Sequence, residues 1–274
     1  MTAAVHPIAR QPLSLEKRLV TIASGKGGVG KTWLAITLAH ALARAGRRVL
    51  LFDGDLGLAN IDIQLGLTPE HDLGDVISGR LTLKEALTNF SAGGAQKSDF
   101  DILAGKSGSG ALSMLARERL ASLRQSLVAA AQDYDHVVLD LAAGVDVAVT
   151  TLASHAGPNL VVVTPEPTSL TDAYAFIKLR RMRDPDANLH IVVNQASDKR
   201  EGETTYETLK NACANFLKFT PPLAGIVKRD AKVSDAIRHQ APLLARHPQT
   251  EASQAVEALA KALIAAAKRR RQAP

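Results

Sequence analysis

The 274-residue chain has little of what marks secreted, disulfide-bonded or membrane-spanning proteins. Its single cysteine, Cys213, excludes an internal disulfide and is typical of proteins in a reducing compartment. It has no apolar run long enough to span a bilayer, and its eight histidines show no metal-ligand spacing. We therefore expect a cytoplasmic protein without a metal site built from protein side chains alone.

Aromatic residues are also scarce, at 4%, whereas apolar residues together make up 46% of the chain. This composition is typical of a parallel sheet covered by helices, and the length suits one large α/β domain. The net charge is +6, and four positive charges lie in the C-terminal run Lys268–Arg271. Residues 1–17 contain Pro7 and Pro12 and lack an apolar signal-peptide core, so we predict a flexible tail there.

The most informative stretch is Ser24–Thr32, a glycine-rich loop between the apolar run Leu19–Ala23 and a helical pattern that starts at Leu34. Strand, glycine loop and helix in this order are the context of a phosphate-binding loop. The spacing G-x-x-x-x-G-K-[ST] is matched by Gly25, Gly30, Lys31 and Thr32. The loop therefore predicts a nucleotide site.

The chemistry of this loop suits ATP, ADP and Mg²⁺. Glycines let backbone N–H groups surround phosphate oxygens, and the amino end of the next helix adds partial positive charge. Lys31 would reach the β- and γ-phosphates, and the Thr32 hydroxyl would ligate Mg²⁺. For Trp33, packing on the first turn of the helix is the favoured interpretation. The predicted nucleotide contacts in this stretch are Gly25, Lys26, Gly27, Gly28, Val29, Gly30, Lys31, Thr32 and Trp33.

Two later apolar strands end in carboxylates, where open α/β sheets bind ligands. Val49–Asp53 leads into Asp55, and Tyr134–Asp140 ends in a Walker B pattern. Of the two carboxylates Asp53 and Asp55, one can support the Mg²⁺ shell, and the other can orient a water molecule toward the γ-phosphate. The predicted metal ligands are Thr32, Asp55 and Asp140. The glycine–serine run Ala104–Gly110 predicts a mobile loop beside the site.

The run from Lys26 to Thr32, Lys-Gly-Gly-Val-Gly-Lys-Thr, resembles the deviant Walker A motif of the MinD/ParA ATPases. In that family the early lysine crosses a dimer interface and touches the partner's ATP. The resemblance implies that Lys26 is this signature lysine and that ATP drives formation of a homodimer. It also implies a water-positioning role for Asp55, so the predicted catalytic residues are Lys26, Lys31 and Asp55.

Thr164–Tyr174 reads Thr-Pro-Glu-Pro-Thr-Ser-Leu-Thr-Asp-Ala-Tyr, and it closely resembles the FlhG/FleN branch of this family. Ala142 stands where MinD proteins usually have Pro, which favours the same branch. The resemblance places Asn194 against adenine, whereas the residues alone equally suit an Asn that starts a turn. The Asp-Gln-Ala pattern of many FlhG N-termini is absent from Met1–Lys17, which leaves the protein partner open.

Strands that alternate with helices predict a doubly wound α/β P-loop domain with a mainly parallel sheet over residues 18–250. Residues 251–274 predict an amphipathic helix with a basic tail. Its apolar stripe consists of Ala252, Val256, Leu259, Leu263 and Ala267. Docking of this helix on the sheet is the favoured interpretation. Weak attachment to the inner face of the membrane, or to the cell pole, is the alternative.

We predict a slow MinD/FlhG-like ATPase that controls the placement or number of a polar structure, with the flagellum as the first candidate. Its expected partners are a second copy of itself and a protein of the polar or flagellar machinery. A ParA-type ATPase that segregates DNA or cargo, a MinD-type division-site regulator and a non-catalytic P-loop scaffold are the alternatives. Nonspecific DNA is the less favoured partner because of the Thr164–Tyr174 stretch.

Overall fold

A computed structural model describes residues 13–55, 57–92, 98–105 and 115–272. The strands of this part are β1 (Leu19–Ser24), β2 (Val49–Gly54), β3 (Thr88–Phe90), β4 (Phe100–Leu103), β5 (His136–Ala143), β6 (Asn159–Val163), β7 (Leu189–Ala196) and β8 (Leu223–Lys228). They form one sheet in the order β3-β4-β2-β5-β1-β6-β7-β8. Neighbouring strands run parallel except β3 and β4, which are antiparallel. The predicted mainly parallel sheet is confirmed.

Helices cover both faces of the sheet, as a doubly wound fold requires. They are α1 (Leu13–Glu16), α2 (Lys31–Arg44), α3 (Ile61–Leu65), α4 (Leu73–Ile77), α5 (Arg117–Ala130), α6 (Val147–Leu152), α7 (Pro167–Arg183), α8 (Lys199–Leu217), α9 (Ala231–Arg238), α10 (Leu243–Arg246) and α11 (Glu251–Gln272). One hydrophobic cluster contains residues of α5, α7 and α8, and the other contains residues of α2, α10 and α11. In β2, Leu50 belongs to the first cluster and Leu51 to the second, so the strand buries both of its faces.

The strand order changes direction beside β1. From β1 the chain passes through α2 to β2 on one side, and later from β5 through α6 to β6 on the other side. Open α/β sheets bind ligands in the crevice that such a switch leaves at the carboxyl ends of the strands. The topology therefore places the predicted phosphate-binding loop, which follows β1, at this crevice.

Both ends of the described chain pack against the sheet layers. Residues 1–12 of the predicted tail lie outside the described residues, and α1 begins at Leu13. Leu15 is buried, and Glu16 accepts hydrogen bonds from Arg124 (2.9 Å) and from the backbone N–H of Ala156 (3.2 Å). Regular structure is thus present before residue 18, because Glu16 finds partners distant in sequence.

The C-terminal helix α11 packs on the same core as α2. Ala252, Val256, Leu259 and Ala260 are buried there, which agrees with the docked interpretation, whereas Leu263 is only partly buried. In the part of the chain that the structure describes, none of the helices combines the length and apolarity needed to cross a membrane.

The strand β3 was not predicted from the sequence. This three-residue edge strand pairs with β4 through contacts that are remote in sequence. Asn89 donates a hydrogen bond to Asp101 (2.8 Å), and the Phe90 and Phe100 rings lie 5.2 Å apart. The predicted glycine–serine loop lies outside the described residues from position 106 onward.

Candidate nucleotide site

The loop between β1 and α2 has the backbone conformation that anion binding needs. Gly28 and Gly30 have φ angles of 77° and 88°, which are costly for other residues. Gly30 is the N-cap of α2, and no side chain of the described residues caps the helix there. The first N–H groups of α2 can therefore bind an anionic ligand, which the helix dipole also favours.

Close contacts require glycine at two positions of the same loop. A Cβ atom on Gly25 would lie 2.2 Å from the backbone carbonyl of Asp172 in α7. A Cβ atom on Gly30 would lie 2.5 Å from the side-chain nitrogen of Asn194 in β7. The loop therefore fits between α7 and the end of β7 only if neither position carries a side chain.

Two amide side chains at the carboxyl end of β7 bind the backbone of the loop. Asn194 donates a hydrogen bond to the Val29 carbonyl (2.7 Å) and accepts one from the N–H of Gln195 (2.9 Å). Gln195 donates from Nε2 to the Gly28 carbonyl (3.3 Å). Asn194 is buried, so its partner in this structure is the loop, and its contact with adenine stays a prediction. The sequence analysis gave no role to Gln195.

Asp140 and Thr32 meet beneath the amino end of α2. The Thr32 hydroxyl lies close enough to the Asp140 carboxylate to lower the pKa of that group. Asp140 is 1% exposed, and its Oδ1 is buried without a hydrogen-bond partner among the described residues. Burial, together with the negative charge of Asp53, raises the pKa of Asp140 to about 8. An unpaired carboxylate oxygen beside a threonine hydroxyl fits Mg²⁺, which prefers oxygen ligands.

Asp53, the last carboxylate within β2, organises the segment that carries Asp55. It accepts hydrogen bonds from the N–H groups of Asp55 (3.2 Å), Asn60 (3.0 Å) and Ile61 (3.1 Å). Burial raises its pKa to about 6 even though these hydrogen bonds act in the opposite direction. Asp53 is also the sheet partner of Asp140. From the sequence, one carboxylate of the pair Asp53 and Asp55 was expected to support the Mg²⁺ shell, but only Asp55 was named as a site residue.

A cavity of 590 Å³ opens beside the phosphate-binding loop, and its volume is within the range of small-molecule sites. Its lining includes Gly28, Lys31, Thr32 and Asp55. Burial lowers the pKa of Lys31, while the charges of Asp140 and Asp55 act against the shift. Asp55 accepts hydrogen bonds through Oδ1 from the N–H groups of Gly57 (3.2 Å) and Leu58 (2.9 Å). The predicted lysine, hydroxyl and carboxylate therefore come together at one cavity.

Lys26 is not among the described residues that line this cavity. Its ammonium group forms an ion pair with Glu166 and donates to the Thr168 hydroxyl (2.9 Å). Both partners belong to the Thr164–Tyr174 stretch that the sequence analysis selected. The side chains of Lys26 and Glu166 are 35% and 57% exposed, so this pair lies on the surface beside the loop.

Trp33 is 6% exposed and belongs to the core cluster of α2, which agrees with the packing interpretation. It also forms part of the cavity wall. Its indole Nε1 is buried without a hydrogen-bond partner among the described residues.

Comparison with known proteins shows which family the chain resembles. Residues 20–243 match the family model of the CobQ/CobB/MinD/ParA nucleotide-binding domain. The chain is 36% identical to the antiactivator FleN of Pseudomonas aeruginosa, with 94% of this chain and 87% of that protein covered. It is 27% identical to the flagellum site-determining protein YlxH of Helicobacter pylori, with 90% and 82% covered.

Solved structures show the same fold. The cell division ATPase MinD of Pyrococcus furiosus superposes with a TM-score of 0.74, covering 91% of this chain and 98% of that one. The sequence identity of this pair is 23%, so the likeness concerns the fold alone.

Proposed function

Because the chain belongs to the CobQ/CobB/MinD/ParA nucleotide-binding family, we propose that it is a Mg²⁺-dependent ATPase that dimerises on binding ATP and regulates flagella. Hydrolysis to ADP and phosphate would return the dimer to monomers. The output would be the number or the placement of flagella. The names of the two relatives, an antiactivator and a flagellum site-determining protein, support this role.

The observation that carries the proposal is the pairing of an anion site with a cation site. The uncapped amino end of α2 suits phosphate, and Thr32 with the unpaired Oδ1 of Asp140 suits a divalent cation. A magnesium nucleotide carries both kinds of charge next to each other. The two sites are adjacent because Thr32 lies in the first turn of α2.

Each of five residues in or beside the cavity has a distinct part in this proposal. Lys31 would offset the charge of the β- and γ-phosphates, and Thr32 and Asp140 would hold Mg²⁺. The bound Mg²⁺ would supply further positive charge to the phosphates. Asp55 would orient the attacking water, and Asp53 would keep Asp55 in place through the hydrogen bonds to the backbone that follows β2.

Exposed apolar side chains near the cavity support a dimer. Leu58, which lines the cavity, is 75% exposed, and Val147, beside the lining residue Ala148, is 39% exposed. Apolar groups in such a position are typical of a surface that a partner covers. Lys26 lies outside the cavity of its own chain, which suits a lysine that contacts the nucleotide of a second copy.

The test is the oligomeric state of Asp55→Ala with Mg-ATP and with Mg-ADP, measured by size exclusion with light scattering. Loss of the water-positioning carboxylate would slow hydrolysis, so we expect a stable dimer with ATP and a monomer with ADP. Asp62→Ala, which removes a nearby carboxylate outside the cavity lining, should behave as the unmodified protein. An Asp55→Ala protein that stays monomeric with Mg-ATP would refute the proposed cycle.

The same variant tests whether the dimer attaches to a membrane or to DNA. Flotation with liposomes only in Mg-ATP would make the exposed end of α11 a membrane anchor. Absence of flotation in both states would make α11 purely structural. Retention on DNA that weakens with salt would instead favour the ParA-type alternative.

A further inference from the structure

Gln195 combines a strained backbone with a contact to the phosphate-binding loop. Its φ angle is 60°, in the left-handed region that non-glycine residues adopt at a conformational cost. Among the described residues, Lys218 and Gln240 also have such angles, but they lie where helices end. Gln195 lies within β7, where the pairing with β8 is interrupted between Val193 and Ala196.

The side chain of Gln195 extends a pattern that Asn194 begins. Asn194 donates to the carbonyl of Val29, and Gln195 donates to the carbonyl of Gly28, so two successive amides bind two successive carbonyls. In a trans peptide unit the C=O and the N–H point in opposite directions. Fixing these two carbonyls against β7 therefore turns the N–H groups of Val29 and Gly30 away from β7.

The loop needs this restraint because each of these two peptide units has a glycine at one end, Gly28 in the first and Gly30 in the second. Gly28 and Gly30 can rotate their backbones with little steric resistance. A rotated peptide unit would direct a carbonyl oxygen, instead of an N–H, toward the bound phosphates, and that contact is repulsive. Gly28 and Gly30 both line the cavity, so the orientation of their peptide units decides whether N–H groups or carbonyl oxygens face the phosphates.

We propose that Gln195 is a positioning residue that holds the phosphate-binding loop in its anion-binding form and thereby slows nucleotide release. The inference rests on the nucleotide binding proposed above. The strained position at Gln195 is also the one whose side chain binds the Gly28 carbonyl. ADP and ATP contact the same loop, so the effect applies to both nucleotides.

The experiment is stopped-flow release of a fluorescent ADP analogue, with Mg²⁺, from the full chain and from Gln195→Gly, Gln195→Ala and Gln195→Glu. Loss of one neutral hydrogen bond corresponds to a change of about 3- to 10-fold. We expect Gln195→Gly and Gln195→Ala to release the ADP analogue faster by this factor. We expect at least as large an effect in Gln195→Glu, because a glutamate side chain has the shape of glutamine but, when ionised, cannot donate a hydrogen bond to a carbonyl.

Thermal unfolding separates the contact from the backbone strain. Gln195→Gly removes both, so its melting temperature should equal or exceed that of the unmodified protein although release is faster. Gln195→Ala keeps the strain and loses the contact, so it should melt lower. Lys218→Gly, which relieves a similar angle far from the loop, should leave release unchanged.

Two results would overturn the inference. The first is release at the unmodified rate in all three Gln195 variants. The second is faster release in Gln195→Ala and Gln195→Glu but not in Gln195→Gly. The change in release rate would then come from the backbone strain and not from loss of the amide. An unmodified chain that fails to bind the ADP analogue would refute the proposed function itself.

Discussion

The parallel strands bury titratable side chains at both of their ends, but in opposite ways. We call the side of the sheet where these strands end its carboxyl edge, and the side where they begin its amino edge. At the carboxyl edge, Asp53 and Asp140 are each 1% exposed, burial raises both pKa values, and Asp140 retains an oxygen without a partner among the described residues. At the amino edge, His155 is 4% exposed and uses both ring nitrogens, with the Thr21 hydroxyl at 2.7 Å and the Gly157 N–H at 3.1 Å.

The difference shows what separates a ligand site from a structural polar group. The compared side chains are almost fully buried at both edges, but Asp140 keeps unused bonding capacity whereas His155 does not. The carboxyl edge keeps charges and free N–H groups that a magnesium nucleotide would satisfy. At the amino edge, His155 is satisfied by its own chain. Two groups there are exceptions, because the Arg180 guanidinium and the buried Oδ1 of Asn159 have no hydrogen-bond partner among the described residues.

Lys31→Ala gives the largest expected effect and tests the carboxyl edge directly. Removing the partly buried ammonium should weaken ATP and ADP binding by about 1,000-fold or more, because phosphate charge would lose its nearest cation. Isothermal titration calorimetry measures this loss. Folding should persist, since burial already disfavours the charged lysine. Lys84→Ala, at an exposed lysine, is the control, and normal ATP binding by Lys31→Ala would refute the site.

Much of the fold could be predicted from local pattern. Apolar runs such as Val49–Asp53 mark strands that are buried on both faces, and helices between them require a parallel sheet. β3 could not be predicted, because its three residues depend on β4. The start of α1 was missed for the same reason, since Glu16 is held by Arg124.

The candidate site likewise contains residues that local motifs predicted and one residue that they did not. Glycine spacing and carboxylates at strand ends predicted Lys31, Thr32, Asp55 and Asp140, because each carries its chemistry in a local motif. The family and its FlhG/FleN likeness were also predicted, and both are confirmed. The amide of Gln195 was missed, because it binds a carbonyl 167 positions away in the chain.

His155 gives the second prediction, a loss of stability in acid at the amino edge. Burial, with Arg180 and Arg124 nearby, lowers its pKa to about 3, and the Gly157 N–H requires an unprotonated Nδ1. Between pH 6.5 and pH 3 the unfolded chain therefore binds a proton that the folded chain does not. Stability should fall by about 3 kcal/mol from pH 6.5 to pH 4 through this group.

Urea unfolding of the unmodified chain and of His155→Gln at several pH values isolates this contribution. Carboxylates titrate in the same range, so only the difference between the two proteins is informative. We expect His155→Gln to be less stable at pH 7 but to lose less stability on acidification. Equal pH slopes would show that His155 is protonated in the folded chain, and the contrast between the edges would then fail.

Arg180→Met gives a smaller effect of opposite sign. Arg180 is fully buried, its pKa is lowered by burial, and its nearest carboxylate, Asp184, is 3.6 Å away. Asp184 is 40% exposed, so water can solvate it after the substitution. We expect stabilisation by about 1 kcal/mol, with Arg183→Met, at an exposed arginine, as the control. Destabilisation in urea unfolding would mean that the guanidinium is satisfied in the folded chain.

The ion pair of Lys26 with Glu166 should contribute least to stability, although it lies at the edge that binds the ligand. Both side chains are more than a third exposed, so solvent screens their attraction, and the coupling energy should be below about 1 kcal/mol. A double-mutant cycle of Lys26→Met and Glu166→Gln in urea measures it. A larger coupling would show that the carboxyl edge, like the amino edge, is stabilised by contacts within its own chain. A small coupling leaves Lys26 free to exchange Glu166 for phosphate at little cost to the fold.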